Sequence, residues 1–191
     1  DGLGTFSYQW LRGGSSIAGA TASTYVLGDA DVGANISVQV SWTDGNGTAE
    51  SLTSAAVGPV ANVNDAPTGA PVVTGTATED QTLTADTGTI ADADGLGAFS
   101  YQWQRNGVNF AGATASTYTL GDADVGTNIR VIVSYTDARG TAESLTSAAV
   151  GPIANVNDAP SGAPAGTGTS TEDRTRTAHT PSNANADGLG A

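Results

Sequence analysis

Carboxylates recur in this chain at fixed intervals, and their types and spacing point to one kind of chemistry. Asp29 and Asp31 stand in Gly28-Asp29-Ala30-Asp31-Val32-Gly33, and the same six residues return 93 positions later around Asp122 and Asp124. Asn64 and Asp65 return as Asn157 and Asp158. Asp92 and Asp94 lie in an acidic Gly-rich stretch, and Glu79-Asp80 forms a short polar turn. Hard oxygen donors gathered in this way suit calcium, which takes about six to eight oxygens from carboxylates and carbonyls. The Asp-x-Asp-x-Asp-Gly order and terminal Glu of an EF-hand loop are missing. The competing reading is that these residues form turns and caps, for which Asp and Asn are also suited.

Other chemistries find little material. There is one histidine, His179, with no counterpart in the preceding repeat, so a Ser–His–Asp set cannot be built reproducibly. Asp92 and Asp94 are close enough to suggest a carboxylate pair, but they sit in a turn without a sugar-binding aromatic shell. The expectation is a non-catalytic protein. The chain has no Cys, which excludes disulfides, thiol chemistry and Cys-ligated zinc or iron–sulfur centres. Nineteen acidic residues against six Arg and no Lys give a formal net charge of -13. That balance argues against nucleic acid and anionic membrane surfaces. It favours solubility, and divalent cations as partners. No apolar run approaches the ~20 residues of a membrane helix. Asn35-Ile36-Ser37 and Asn46-Gly47-Thr48 match the glycosylation acceptor pattern, and chance suffices to explain them.

The elements that position the carboxylates follow from a repeat. Residues 1–66 and 94–159 differ at only 14 positions, among them Leu11/Gln104, Ile17/Phe110, Trp42/Tyr135 and Val60/Ile153. Copying at domain length points to an array built for length or valency. Val63-Asn64-Asp65-Ala66-Pro67 and Val156-Asn157-Asp158-Ala159-Pro160 read as linkers, since Pro interrupts strand pairing. The expected division is therefore the back part of a repeat over 1–66, a complete repeat over 67–159 and the front of a divergent repeat over 160–191. The phase of the repeat suggests an internal slice of a longer repetitive protein.

Within 67–159 the alternation is that of strands. They are expected over 70–77, 81–87, 99–104, 116–120, 129–135 and 141–150. Leu83 and Ala85 share one face, as do Phe99, Tyr101 and Trp103, and Ile129, Val131, Val133 and Tyr135 form the clearest inward stripe. Asn106-Gly107 reads as a tight hairpin turn. Gly126 is placed where the backbone needs positive φ. Six or seven short antiparallel strands spaced by turns predict an all-β, two-sheet sandwich of immunoglobulin-like type, in tandem.

The run Tyr101-Gln102-Trp103-Gln104-Arg105-Asn106-Gly107 resembles the bacterial immunoglobulin-like repeats of very large secreted adhesins. So do Gly112-Ala113-Thr114, Ser116-Thr117-Tyr118-Thr119-Leu120, Asp124-Val125-Gly126 and Ile129-Arg130-Val131. The linker Val156-Asn157-Asp158-Ala159-Pro160 is similar to the joint of those proteins and of cadherin-like domains. The resemblance covers residues 1–160 and weakens after Gly166. It implies an extracellular or cell-surface tether, often stiffened by calcium, in biofilm or host attachment. The Gly-rich nonapeptide repeats and secretion signal that often follow such tethers are not in this sequence.

Sandwich geometry brings the carboxylates toward the joints. Asp29, Asp31, Asn64, Asp65, Asp92 and Asp94 are expected to converge at the first. Glu79, Asp80, Asp122, Asp124, Asn157, Asp158 and Asp187 are expected at the second. The tail breaks the pattern: Leu83 becomes Arg176, Ile90 becomes Asn183, Asp86 becomes His179 and Gly88 becomes Pro181. Arg176 on an inward position would bury an unpaired charge, so 166–186 are expected to be poorly ordered or held by unusual contacts. Two functions compete. One is a stiff spacer of stacked repeats, partnered by its neighbouring repeats. The other is a self-assembling extracellular filament, in which residues 160–191 of one copy complete the open sandwich of the next by strand donation.

Overall fold

Period-two alternation of β-branched and polar residues has one economical backbone solution, the extended strand. The computed structural model of the protein is accordingly all-β, built of antiparallel sheets. It describes residues 2–159, 165–168, 170, 172 and 174–179. No helix among the described residues is long and apolar enough to cross a membrane. The chain divides into two units. One holds Asp1–Pro67 with the loops Asp92–Leu96 and Asp137–Thr141, and the other holds Thr68–Ala91, Gly97–Thr136 and Ala142–Ala191.

The first unit is one sheet. Its strands are β1 (Ser7–Arg12), β2 (Ser15–Ser16), β3 (Ile36–Thr43) and β4 (Ala49–Thr53), in the order β2-β1-β3-β4. The β1–β3 register pairs Trp10 with Val38 and Tyr8 with Val40. Trp10, Val38, Val40 and Trp42 are only half-buried. Leu27 and Val57 are 51% and 75% exposed.

The second unit carries β5 (Val72–Thr74), β6 (Thr82–Asp86), β7 (Ser100–Arg105), β8 (Val108–Asn109), β9 (Thr117–Thr119), β10 (Ile129–Thr136) and β11 (Ala142–Thr146). One sheet runs β11-β10-β7-β8 and another β5-β6-β9. Leu83 and Ala85 of β6, Trp103 of β7, and Ile129, Val131, Val133 and Tyr135 of β10 belong to one buried cluster with Ile90, Leu120 and Ile153. The expected inward stripe of β10 is thus present. The Trp103 indole N–H is satisfied by the Ala115 carbonyl at 2.9 Å, so the ring is buried without an orphaned donor. Asn106 and Gly107 have φ of 47° and 83°, the two left-handed positions that a two-residue hairpin turn of the primed type needs.

Three expectations change. The strand expected over 70–77 stops at Thr74. Gly75 then adopts φ 120°, and Thr78 pairs in parallel with Ala154 instead. The strand expected over 141–150 ends at Thr146, and Val150 and Ile153 continue only as single bridges to Ile129 and Val125. In the tail, β12 (Ala165–Thr167) pairs with β13 (Thr177–His179) in the register Ala165↔His179 and Thr167↔Thr177. That is the β5–β6 register moved on by one repeat. Arg176 is exposed, so its charge stays in water rather than in a core. A ladder needs only backbone groups, which survive when the inward side chains are replaced. The remainder of 166–186, and Asp187, lie outside the described residues.

Candidate metal centre

Each Gly-Asp-Ala-Asp-Val-Gly stretch forms a single 3-10 turn, Asp29–Asp31 and Asp122–Asp124. A turn of three residues sends its first and third side chains to different surroundings. The third goes inward. Asp124 is 1% exposed and accepts from Arg105 at 2.6 Å, from the Tyr118 hydroxyl at 2.7 Å and from the Gly121 N–H at 3.0 Å. Asp31 repeats the arrangement with Arg12 at 2.7 Å, Tyr25 at 3.0 Å and the Gly28 N–H at 2.9 Å. Burial alone would raise the Asp31 carboxyl, but the Gly28 amide, Arg12 and Tyr25 outweigh it and hold the group below its ordinary value. Burial and the neighbouring Asp124 push the Tyr118 hydroxyl up. Asp31 and Asp124, expected among the cation ligands, are each placed in an ion pair, with Arg12 and Arg105. The spacing Arg12/Tyr25/Asp31 against Arg105/Tyr118/Asp124 is identical in both repeats, and that was the overlooked signal.

The first aspartate of each turn stays outside. In the second unit Asp122 meets Glu79 and Asp158, with one carboxylate oxygen from each within 4.8 Å of the others. Among the described residues this is the one group of three acidic side chains so gathered. Glu79 is 1% exposed, and backbone pairing holds it there: its N–H donates to the Ala154 carbonyl at 2.9 Å. The Val156 N–H donates to Glu79 Oε2 at 3.0 Å, while Glu79 Oε1 is buried with no hydrogen-bond partner. The Val156 amide pulls the Glu79 carboxyl down. Burial and the nearby Asp122 and Asp158 push it up more strongly, and it ends above its ordinary value. A buried anionic oxygen without a donor, beside two further carboxylates, is electrostatically costly unless a proton or a cation joins it. Asp80 and Asn157 are exposed and stand outside the triad. Asp80 is at φ 63°, where Asp is tolerated in a turn.

In the first unit the carboxylates at issue are Asp29, Asp65, Asp92 and Asp94. The Asp65 N–H donates to Asp94 Oδ2 at 2.8 Å, and the Asp94 N–H donates to Asp92 Oδ1 at 2.8 Å. The charge on Asp29, then burial, then the charge on Asp94 lift the Asp65 carboxyl above its ordinary value. Asn64 is exposed. Beside Asp29 and Asp65 lies a hollow of about 320 Å³ walled by Gly28, Val60, Ala61 and Val63. One repeat later, Ala154 and Val156 are the residues that hold Glu79. The hollow therefore occupies the place of that glutamate.

The triad offers only hard oxygen donors, with no sulfur or imidazole. That donor set fits calcium or magnesium better than zinc or copper. The protein matches no family model. It also matches no curated protein.

Proposed function

We propose that this chain is a stretch of tandem immunoglobulin-like β-sandwich repeats. It acts as a non-catalytic spacer of a large extracellular bacterial adhesin or surface protein and is braced by calcium. The observation that carries the calcium is Glu79 Oε1, buried without a donor beside Asp122 and Asp158. These three residues come from separate turns and from the linker-like segment. A cation on them would tie those segments together, and the effect would be mechanical rather than chemical. The near-identical repeat supports the spacer, since length is what copying supplies. The resemblance to adhesin repeats supports the extracellular setting.

A thermal melt with calcium and with chelator tests this. At calcium about 100-fold above its dissociation constant the native state gains about 2.7 kcal/mol. The midpoint should rise by several degrees with calcium, and Glu79→Gln should abolish the rise. An unchanged midpoint would remove calcium and leave an unbraced spacer.

A further inference from the structure

Three of the 14 differences between the repeats fall in one cross-strand row. In the first unit Ser16, Leu11 and Ser37 are neighbours across β2, β1 and β3. In the second the same places hold Asn109, Gln104 and Arg130, across β8, β7 and β10. Gln104 joins the row: its Nε2 donates to Asn109 Oδ1 at 2.6 Å, and its Oε1 accepts from Arg130 Nε at 2.6 Å. Cross-strand neighbours act as a unit, so the three changes belong together. Side chains alternate along a strand, so Gln104 faces away from Trp103 and the core. Two further differences, Gly13/Asn106 and Ser15/Val108, lie on the adjoining hairpin.

The bonds within this patch occupy acceptors and leave donors. Asn109 accepts through its carbonyl oxygen, which leaves its Nδ2 amide. The Asn128 N–H donates to Asn106 Oδ1 at 2.9 Å, which leaves the Asn106 Nδ2 amide in the same way. Both asparagines are exposed. Arg130 uses its Nε on Gln104, and the ion pairs among the described residues are those of Arg12 and Arg105, so the two terminal nitrogens of Arg130 hold no carboxylate. Arg130 Nη2 reaches over the hairpin turn, 3.3 Å from where a Cβ on Gly107 would stand. Gln104 is buried beneath its two neighbours and fixes their orientation. Val108, on the adjoining strand, is 69% exposed.

We infer that this donor row is a binding site for an acidic sugar, with Arg130 taking the sugar's carboxylate. A guanidinium meets a carboxylate in a planar, two-point geometry. The Asn106 and Asn109 amides then donate to hydroxyl and ring oxygens, and Val108 offers apolar contact to the C–H face of the ring. Recognition is by hydrogen bonds and charge, without an aromatic platform. Charge selects the ligand class. One free guanidinium on a chain of net charge -13 suits a ligand with a single negative charge. A dianionic phosphate, or an acidic protein such as a second copy of this chain, meets stronger repulsion. The Ser16–Leu11–Ser37 row of the first unit offers neither guanidinium nor carboxamide, so the site belongs to the second unit. Calcium has no part in it.

The test titrates the full chain with sodium glucuronate and follows side-chain N–H signals by NMR. The buffer is cleared of metal on a resin, because a dissolved chelator would bring carboxylates of its own. Saturable shifts are expected at Arg130 Nε and at the Asn106 and Asn109 amides. Arg130→Ser carries the residue that the first repeat has at this place, so it keeps the fold, and it should bind at least about tenfold more weakly, the loss expected for a bond to a charged group. Glucose should give no saturable shift. Absence of saturable shifts with glucuronate overturns the inference, as does equal binding by Arg130→Ser. Tighter binding of inorganic phosphate than of glucuronate overturns it as well. So does association of the sugar-free chain by light scattering that Arg130→Ser abolishes, since a second copy would then be the ligand.

Discussion

Two aspartates separated by a single alanine do opposite work in this protein. Asp124 is enclosed by Arg105, Tyr118 and the Gly121 amide, whereas Asp122 faces Glu79 and Asp158. Asp124→Asn leaves a guanidinium without its anion. Because Arg105 keeps 29% exposure, the loss belongs at the low end of the buried-pair range, about 3 kcal/mol by urea unfolding. Asp122→Asn should instead leave the cation-free protein as stable or more stable, and remove its response to calcium. The pH dependence separates the same two environments. Glu79 is raised in the folded state, so without cation the native form binds more protons than the unfolded one. Its contribution is complete below the ordinary glutamate value and fades as pH rises through the folded value. Asp31 and Asp137 are lowered, so their contribution is present above the ordinary aspartate value and is lost as pH falls through the folded one. In chelator, Glu79→Gln should flatten the decline in melting midpoint on the alkaline side of the carboxylate range and leave the acid limb unchanged.

At the scale of elements, equivalent strands differ in what covers them. β7 presents Trp103 to Leu83 and Ala85 of β6 and to the β10 stripe, whereas β1 presents Trp10 to an open trough. Trp103→Ala should therefore cost about 3–5 kcal/mol. Trp10→Ala should cost clearly less, because Trp10 has less burial to lose. Amide exchange in β10 and β3 would report the two losses separately. The alternation along 129–135 and the Asn106-Gly107 turn were legible in the sequence, because strand periodicity and positive φ are local properties. The ends of β5 and β11 were not. They depend on where Gly75 redirects the chain and on which distant carbonyl takes up each amide.

For the whole molecule, a net charge of -13 with no Cys means that self-repulsion is opposed by packing, hydrogen bonds and ion pairs such as Arg105–Asp124, without disulfides. Screening shortens the reach of that repulsion from about 30 Å near 0.01 M salt to about 8 Å near 0.15 M. Sodium chloride should therefore raise the melting midpoint modestly. Calcium at matched ionic strength should raise it further, and only that second increment should vanish in Glu79→Gln. The tail, which keeps the β12–β13 ladder while placing Arg176 where the preceding repeat has Leu83, separates what pairing needs from what a core needs.

Read alone, the sequence settled the repeat, the strand alternation, the acidic balance and the set of carboxylates from which a cation site could be drawn. These are matters of composition and spacing. Tertiary structure decided which carboxylates meet. Glu79, Asp122 and Asp158 converge across long stretches of chain, while Asp31 and Asp124, two residues from the outward aspartates, are captured by Arg12 and Arg105. A three-residue turn divides its side chains between solvent and core, and only the packed neighbours determine which one goes inward.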